Sequence, residues 1–167
     1  MIEQLLDRRA ELSALVRLYQ RDVDRFDQAV ADRLGVNRTD LRCLDILTDE
    51  GGSGRRLTPK ELASKSGMSP SAITTVLDRL ERAGYAQRVR DDGNRRQVLV
   101  ALTPLLAELA EDIFGPVAAA GQAHVASYTD EQIELLLGFF ARAHELRAEQ
   151  IAALRKNSPP PSAQKER

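Results

Sequence analysis

The chain has 167 residues, 43% of them hydrophobic, a net charge of −1 and one cysteine. That length supports one substantial core without covalent staples, and the lone Cys43 excludes an internal disulfide. The N-terminal "MIEQLLDRRAEL" carries charges where a secretory signal needs an unbroken apolar run. The longest apolar stretch, "LLLGFFA" from Leu135, falls far short of the roughly 20 residues of a membrane span, so a cytoplasmic location is expected.

The near-zero net charge conceals a division. From Arg55 to Arg96 ten basic residues stand against five acidic ones, a local charge of +5 that leaves −6 for the rest. Such asymmetry suggests that one face meets a polyanion, although a solvated charged surface has the same composition.

In chain order, Leu5, Leu12, Tyr19 and Phe26 fall on one heptad row and Ile2, Val16, Val23 and Val30 on the next, interrupted only by Arg9. Without proline or glycine over this stretch, the pattern predicts one long helix. Its apolar seam is longer than a small monomer can cover, so a partner chain is expected along it. Asn37 then caps a shorter helix to about Glu50, with Leu41, Leu44 and Leu47 inward, and "GGSG" ends it as a loop.

Thr58 as N-cap, Pro59 at the first helical position and Glu61 three after the cap predict a capping box. Ser69 and Pro70 open the next helix at once, and Gly84 closes it in the left-handed position. From Tyr85 the apolar period switches towards two through "YAQRVR" and "RQVLVAL", with "DDGN" between, which predicts a β-hairpin. Thr103-Pro104 restarts helix through Phe114 towards Gly121. Thr129 and Gln132 form another capping box before a last helix carrying Ile133, Leu136, Leu137, Phe140, Ile151 and Leu154. The tail at 157–167, "NSPPPSAQKER", is polar and proline-rich, and disorder is expected there.

The fold class read from this order is mainly α with a small β-hairpin wing. It is a winged helix-turn-helix over 37–103, with N- and C-terminal helices, 1–36 and 104–156, forming a dimerisation region. Ala63, Gly67, Ile73 and Val76 place a small residue, a turn former and two apolar residues where two helices cross steeply. The second of these helices turns Ile73, Val76, Leu77 and Leu80 inward and leaves Ser71, Thr74, Thr75, Asp78, Arg79 and Arg82 outside. Small hydroxyls near a helix N-terminus allow close approach to base edges, and the helix dipole favours phosphate there. An ordinary amphipathic helix has the same faces, so the hairpin carries the argument. Arg88, Arg90, Arg95 and Arg96 flank its tip, where arginine suits phosphate oxygens and narrow minor grooves. Strand alternation sends Arg95 and Arg96 to opposite faces. One is expected to reach DNA and the other to brace the wing against Asp78 or a wing aspartate.

The block "LTPKELASKSGMSPSAITTVLDRLERAGYAQRVRDDGNRRQVLVALT", with a long helix before it and two after, resembles the MarR-type transcriptional regulators. The resemblance spans about Leu5 to Leu154 and is strongest from Leu57 to Thr103. It implies a homodimer held by its terminal helices, two winged domains on a pseudo-palindromic operator, and a small-molecule pocket between the two parts. The recognition helix maps to Ser69–Arg82 and the wing to Arg88–Arg96. The DNA-contacting set is then Arg38, Thr58, Lys65, Ser69, Ser71, Thr74, Thr75, Arg79, Arg88, Arg90, Arg95 and Arg96. Pocket residues would be Tyr19, Phe26, Leu41 and Leu44; dimer contacts would be Ile2, Leu5, Leu6, Leu12, Leu136, Phe140, Ile151 and Leu154. Where the family carries an aspartate before the wing arginines this chain has Asn94, which implies a looser or differently anchored tip.

Other chemistry has little support. Cys43 sits among core leucines in "LRCLDIL" with only Arg42 basic beside it, so a buried inert thiol is expected rather than a redox sensor. His124 and His144 lack metal-ligand spacing, and there is no phosphate loop or nucleophile elbow, so neither metal, cofactor nor enzyme activity is expected. The expected function is a DNA-binding transcriptional repressor acting as a homodimer and released by a small ligand. The alternatives are a helical dimeric protein-interaction module and a redox sensor acting through Cys43.

Overall fold

The computed structural model describes residues 2–91, 93, 94 and 96–156. Met1, Asp92, Arg95 and the tail 157–167 lie outside the described residues, as do the side chains of residues 2–6 and 155. The expectations for Arg95, for the tail and for the side chains of Ile2, Leu5 and Leu6 therefore fall outside them too.

The elements follow the expected order: α1 (Ile2–Leu34), α2 (Arg38–Gly52), α3 (Pro59–Ser66), α4 (Pro70–Arg82), β1 (Ala86–Arg90), β2 (Val98–Leu102), α5 (Pro104–Val125) and α6 (Asp130–Lys156). Local side chains start the helices as their spacing predicts. Asn37 accepts from the Asp40 N–H, Thr58 and Glu61 make the reciprocal capping box, and Ser69 accepts from the Ala72 N–H. Thr129 and Gln132 exchange the same pair of bonds before α6.

Two helices outrun their expected ends. α2 continues through Gly51 and Gly52, because Ser53 and Arg55 return their N–H groups to the Glu50 carbonyl and the chain reverses at Gly54, φ +76°. α5 continues past Gly121 to Val125. A helical glycine costs only about 1 kcal/mol, too little to stop a helix whose neighbours favour it. The strands are shorter than expected. The Gln97 N–H bonds the Asn94 carbonyl at 2.7 Å and the Asp91 N–H bonds the Gln97 carbonyl at 3.1 Å, which places Arg96 in the turn rather than in a strand.

The chain divides into two compact units, residues 1–115 and 116–167, with the boundary inside α5 at Gly115-Pro116. The first holds the core. Ile73, Val76, Leu77 and Leu80 of α4 meet Leu41, Leu44 and Leu47 of α2, Leu62 of α3, Val100 of β2 and Leu106 of α5, all buried. α1 supplies only its last turns, Val30, Ala31 and Leu34; upstream its stripe is open, with Leu12 51% and Tyr19 68% exposed. β1 and β2 pair antiparallel from Ala86↔Leu102 to Arg90↔Val98, and Leu57 adds a bridge to Val100 on the hairpin's other side. In the second unit α6 exposes Leu135, Phe140, Ile151 and Leu154. No helix among the described residues is long and apolar enough to cross a membrane.

Candidate nucleic-acid interface

The two helices of the helix-turn-helix meet at Gly67, whose φ of +73° makes the left-handed cap of α3 while its N–H bonds the Ala63 carbonyl. Any side chain there meets the preceding backbone unfavourably, which is why the turn needs glycine. Beyond it α4 presents an outer face of hydroxyls. The Ser69 and Ser71 Oγ atoms lie 3.1 Å apart, and Thr74 and Thr75 donate to the carbonyls of Pro70 and Ser71. With their protons engaged in the helix, both threonines turn methyls and oxygen lone pairs outward. Those groups suit a thymine methyl and the amino donors of adenine or cytosine.

Two ion-pair systems orient this helix. Arg79 donates from Nε to Asp40 Oδ2 at 2.8 Å and from Nη2 to Asp40 Oδ1 at 2.5 Å. The Asp40 side chain is 2% exposed and that of Arg79 36%. Asn37 Nδ2 gives Asp40 a further donor at 3.1 Å, so no buried carboxylate oxygen is left alone. Arg79, expected on the open DNA-contacting face, is thus turned towards α2, because a buried carboxylate binds a bidentate guanidinium more strongly than water does. The bond to Asp40 also raises the Arg79 pKa further.

Arg88 joins the wing to α4. It donates to Glu81 through Nη1, to Asp78 Oδ1 at 2.9 Å and to the Thr74 carbonyl at 3.5 Å, while its backbone N–H bonds Glu81 Oε1 at 2.8 Å. A brace to Asp78 is made by Arg88 in β1, while Arg96 forms no ion pair with a described residue and the expectation for Arg95 lies outside the described residues. At the tip Asn94 does organise the backbone: its Oδ1 accepts from the Arg96 N–H at 3.3 Å, and Asp91 Oδ1 accepts from the Gly93 N–H at 3.1 Å.

Several of the other expected contacts are engaged locally. Arg38 bonds the Asp24 carbonyl at 2.5 Å and faces the Asp24 and Asp27 carboxylates at 3.4 Å. The Thr58 hydroxyl belongs to its capping box, and the Thr58 N–H on the Glu61 carboxylate leads the effects that hold its pKa low. Lys65 pairs with Glu50 at 2.6 Å and lowers the carboxyl pKa, with Arg55 on the same carboxylate. Arg90 and Arg96 are exposed and form no ion pair with a described residue; the same holds for Arg82 at the end of α4. Of the orienting groups, the sequence reading missed Asp40 and Glu81. Asp40, three residues after a cap, reads as a helix-dipole partner, and nothing nearby in sequence points to Arg79.

A cavity of about 290 Å³ opens in the same unit beside α2, lined by Leu34, Leu41, Leu44, Asp45, Thr48, Asp49, Leu106, Ala110, Ile113 and Phe114. Leu41 and Leu44 line it. Phe26 does not, but its ring packs edge-on against Phe114 with centroids 5.7 Å apart. Tyr19 is absent from it and points to solvent, because α1 reaches the core only near its C-terminus. Cys43 is fully buried on another side of α2, and desolvation pushes its pKa up to about 11, so the thiolate needed for oxidation is scarce. His124 and His144 are both exposed.

A sequence model of the MarR family matches residues 34–97. The HTH-type transcriptional regulator YcgE of Bacillus subtilis is 34% identical over 131 residues, which are 78% of this chain and 82% of that protein. Among solved structures, a MarR family protein from Bacillus stearothermophilus matches with a TM-score of 0.60 at 24% identity, over 83% of this chain and 94% of the other. MepR of S. aureus matches at 17% identity both as its DNA complex, TM-score 0.57, and bound to ethidium bromide, TM-score 0.59. Each covers 80% of this chain, against 97% and 94% of the MepR chains. At these identities the structural likeness shows the fold.

Proposed function

The chain belongs to the MarR family of transcriptional regulators, and within it we propose a homodimeric repressor that binds a pseudo-palindromic DNA operator and leaves it on binding a small molecule. Its relatives are regulators rather than enzymes. The observation that carries the DNA reading is the pairing of two surfaces. One is the hydroxyl-rich face of α4, held by Asp40–Arg79; the other is a wing tied to that helix through Arg88, with Arg90 and Arg96 left without ion pairs among the described residues. α4 suits a major groove, and the wing arginines suit phosphate or a narrow minor groove.

A homodimer is supported by apolar surface on the terminal helices. Leu12 of α1 and Leu136, Phe140, Ile151 and Leu154 of α6 are between 37% and 69% exposed in the single chain. A second copy is the simplest cover for such a surface. Under this reading 1–36 and 104–156 are the dimerisation region and 37–103 the DNA-binding domain, with operator half-sites about one helical turn apart. Ligand release is supported by the cavity beside α2 and by the ethidium complex of MepR.

The test is charge reversal, Arg90→Glu with Arg96→Glu, measured by fluorescence anisotropy on a duplex obtained by in-vitro selection. Affinity should fall at least tenfold and the log–log salt slope should shrink by about one per lost phosphate contact. Light scattering should still report a dimer. Unchanged affinity and slope would overturn the DNA reading, and a monomeric wild type at micromolar concentration would overturn the dimer.

A further inference from the structure

The outer face of α4 is rich in hydrogen-bond acceptors and poor in donors. Ser71, Thr75 and Asp78, four and three residues apart, run along the middle of that face, opposite the buried Ile73, Val76, Leu77 and Leu80. Thr75 gives its proton to the Ser71 carbonyl at 3.2 Å, and Asp78, whose side chain is 51% exposed, is an acceptor. The Ser69 and Ser71 hydroxyls share one proton between oxygens 3.1 Å apart and keep the other, at the helix start where phosphate is favoured. The two arginines beside this stripe that could read guanine are held back. Arg79 is gripped by Asp40, whose carboxylate would otherwise keep only the Asn37 donor, and Arg88 is divided between Glu81, Asp78 and the Thr74 carbonyl. Arg82 stays exposed in the last turn, away from the N-terminal residues that reach base edges in a helix-turn-helix.

We propose that α4 selects an A·T pair rather than guanine, and that Thr75 is the residue that determines this specificity. Its methyl packs on the thymine C5-methyl, and its hydroxyl oxygen accepts from an adenine N6 amino group. The inference rests on the DNA reading of this chain and deepens it to the chemistry of the half-site. In the major groove guanine offers only the acceptors N7 and O6, which would face the Thr75 oxygen and the Asp78 carboxylate with no donor between them. Cytosine offers an amino donor but no methyl, and it brings its guanine with it. Only the A·T pair supplies both a donor and a methyl. Thr74 carries the same groups, but it stands on the flank towards the wing, where Arg88 meets its carbonyl at 3.5 Å. The fold thus sets the preference from a distance: by holding Arg79 against α2, Asp40 removes the side chain best able to fork onto guanine.

Deoxyuridine differs from thymidine by the C5-methyl alone, which lies in the major groove, so it leaves base pairing and the minor-groove edge unchanged. In the duplex obtained by in-vitro selection, each thymine of a half-site is replaced in turn and binding of the full chain is followed by fluorescence anisotropy. Affinity should fall about fourfold at one thymine per half-site, the size expected from one buried methyl group. Replacing that A·T pair with G·C should weaken binding roughly tenfold. Thr75→Ser, which keeps the hydroxyl and removes the methyl, should bind the thymine and uracil duplexes equally, while Thr74→Ser should retain the difference. Equal wild-type affinity for every uracil duplex, or discrimination that survives in Thr75→Ser, overturns the inference and leaves the DNA reading standing. If selection enriches no duplex, the DNA reading fails and the inference fails with it.

Discussion

Replacing Arg79 with methionine keeps most of the aliphatic stem and removes the guanidinium that faces Asp40. The carboxylate left behind is 2% exposed and loses donors at 2.8 and 2.5 Å, keeping only Asn37 Nδ2 at 3.1 Å. Removing one partner of a buried pair costs about 3–5 kcal/mol. The remaining Asn37 bond moves the expectation to the lower end, about 3 kcal/mol. The reciprocal change, Asp40→Asn, should cost less. Arg79 is 36% exposed and reaches water by a rotamer change, which limits the loss to about 1 kcal/mol, near the value of a partly exposed pair. The asymmetry of about 2 kcal/mol follows from burial and not from the pair's geometry, which is common to both variants. Urea unfolding followed by circular dichroism, at one protein concentration, measures it. With a slope of about 2 kcal/mol/M, the midpoint should fall by about 1.5 M for Arg79→Met and about 0.5 M for Asp40→Asn. Equal shifts, or a larger one for Asp40→Asn, would refute the assignment of Asp40 as the buried member that anchors α4.

Two further outcomes follow from single residues. The Cys43 pKa is raised from 9.0 to about 11, so its protonated form contributes stability below pH 9 that is lost as pH rises through about 11. Alkylation by iodoacetamide at pH 8, followed by mass spectrometry, should be about a hundredfold slower in the native protein than in urea, and comparable rates would show the thiol accessible. Gly67→Ala forces a Cβ onto a φ of +73° and should cost about 1–2 kcal/mol in the same unfolding assay, so an unchanged midpoint would show that the turn tolerates another conformation.

Caps and periods were legible because their causes are local. Thr58 with Glu61, Ser69 with Ala72, and Thr129 with Gln132 each close hydrogen bonds over three residues, within reach of any reading that respects donor and acceptor spacing. The inward positions of α4 follow from the 3.6-residue period, and Ile73, Val76, Leu77 and Leu80 are all buried as that period requires. The hairpin was legible as a change of period, though not its tip: where the strands stop depends on the Gln97–Asn94 and Asp91–Gln97 bonds, which no alternation pattern specifies.

Sequence by itself therefore determined the order of elements, their starts, the apolar faces and the concentration of positive charge between Arg55 and Arg96. Tertiary structure decided which charges remain available. Asp40 and Arg79 are 39 residues apart, and the Tyr85 hydroxyl bonds the Leu34 carbonyl across 51, so each contact exists only once the chain has folded. Arg79 and Arg96 are both arginines beside a polar surface. Folding holds the first against a buried carboxylate and places the second in an exposed turn. The reason is that ion pairing depends on separation in space and on exclusion of water. Neither quantity is written in the spacing of residues along the chain.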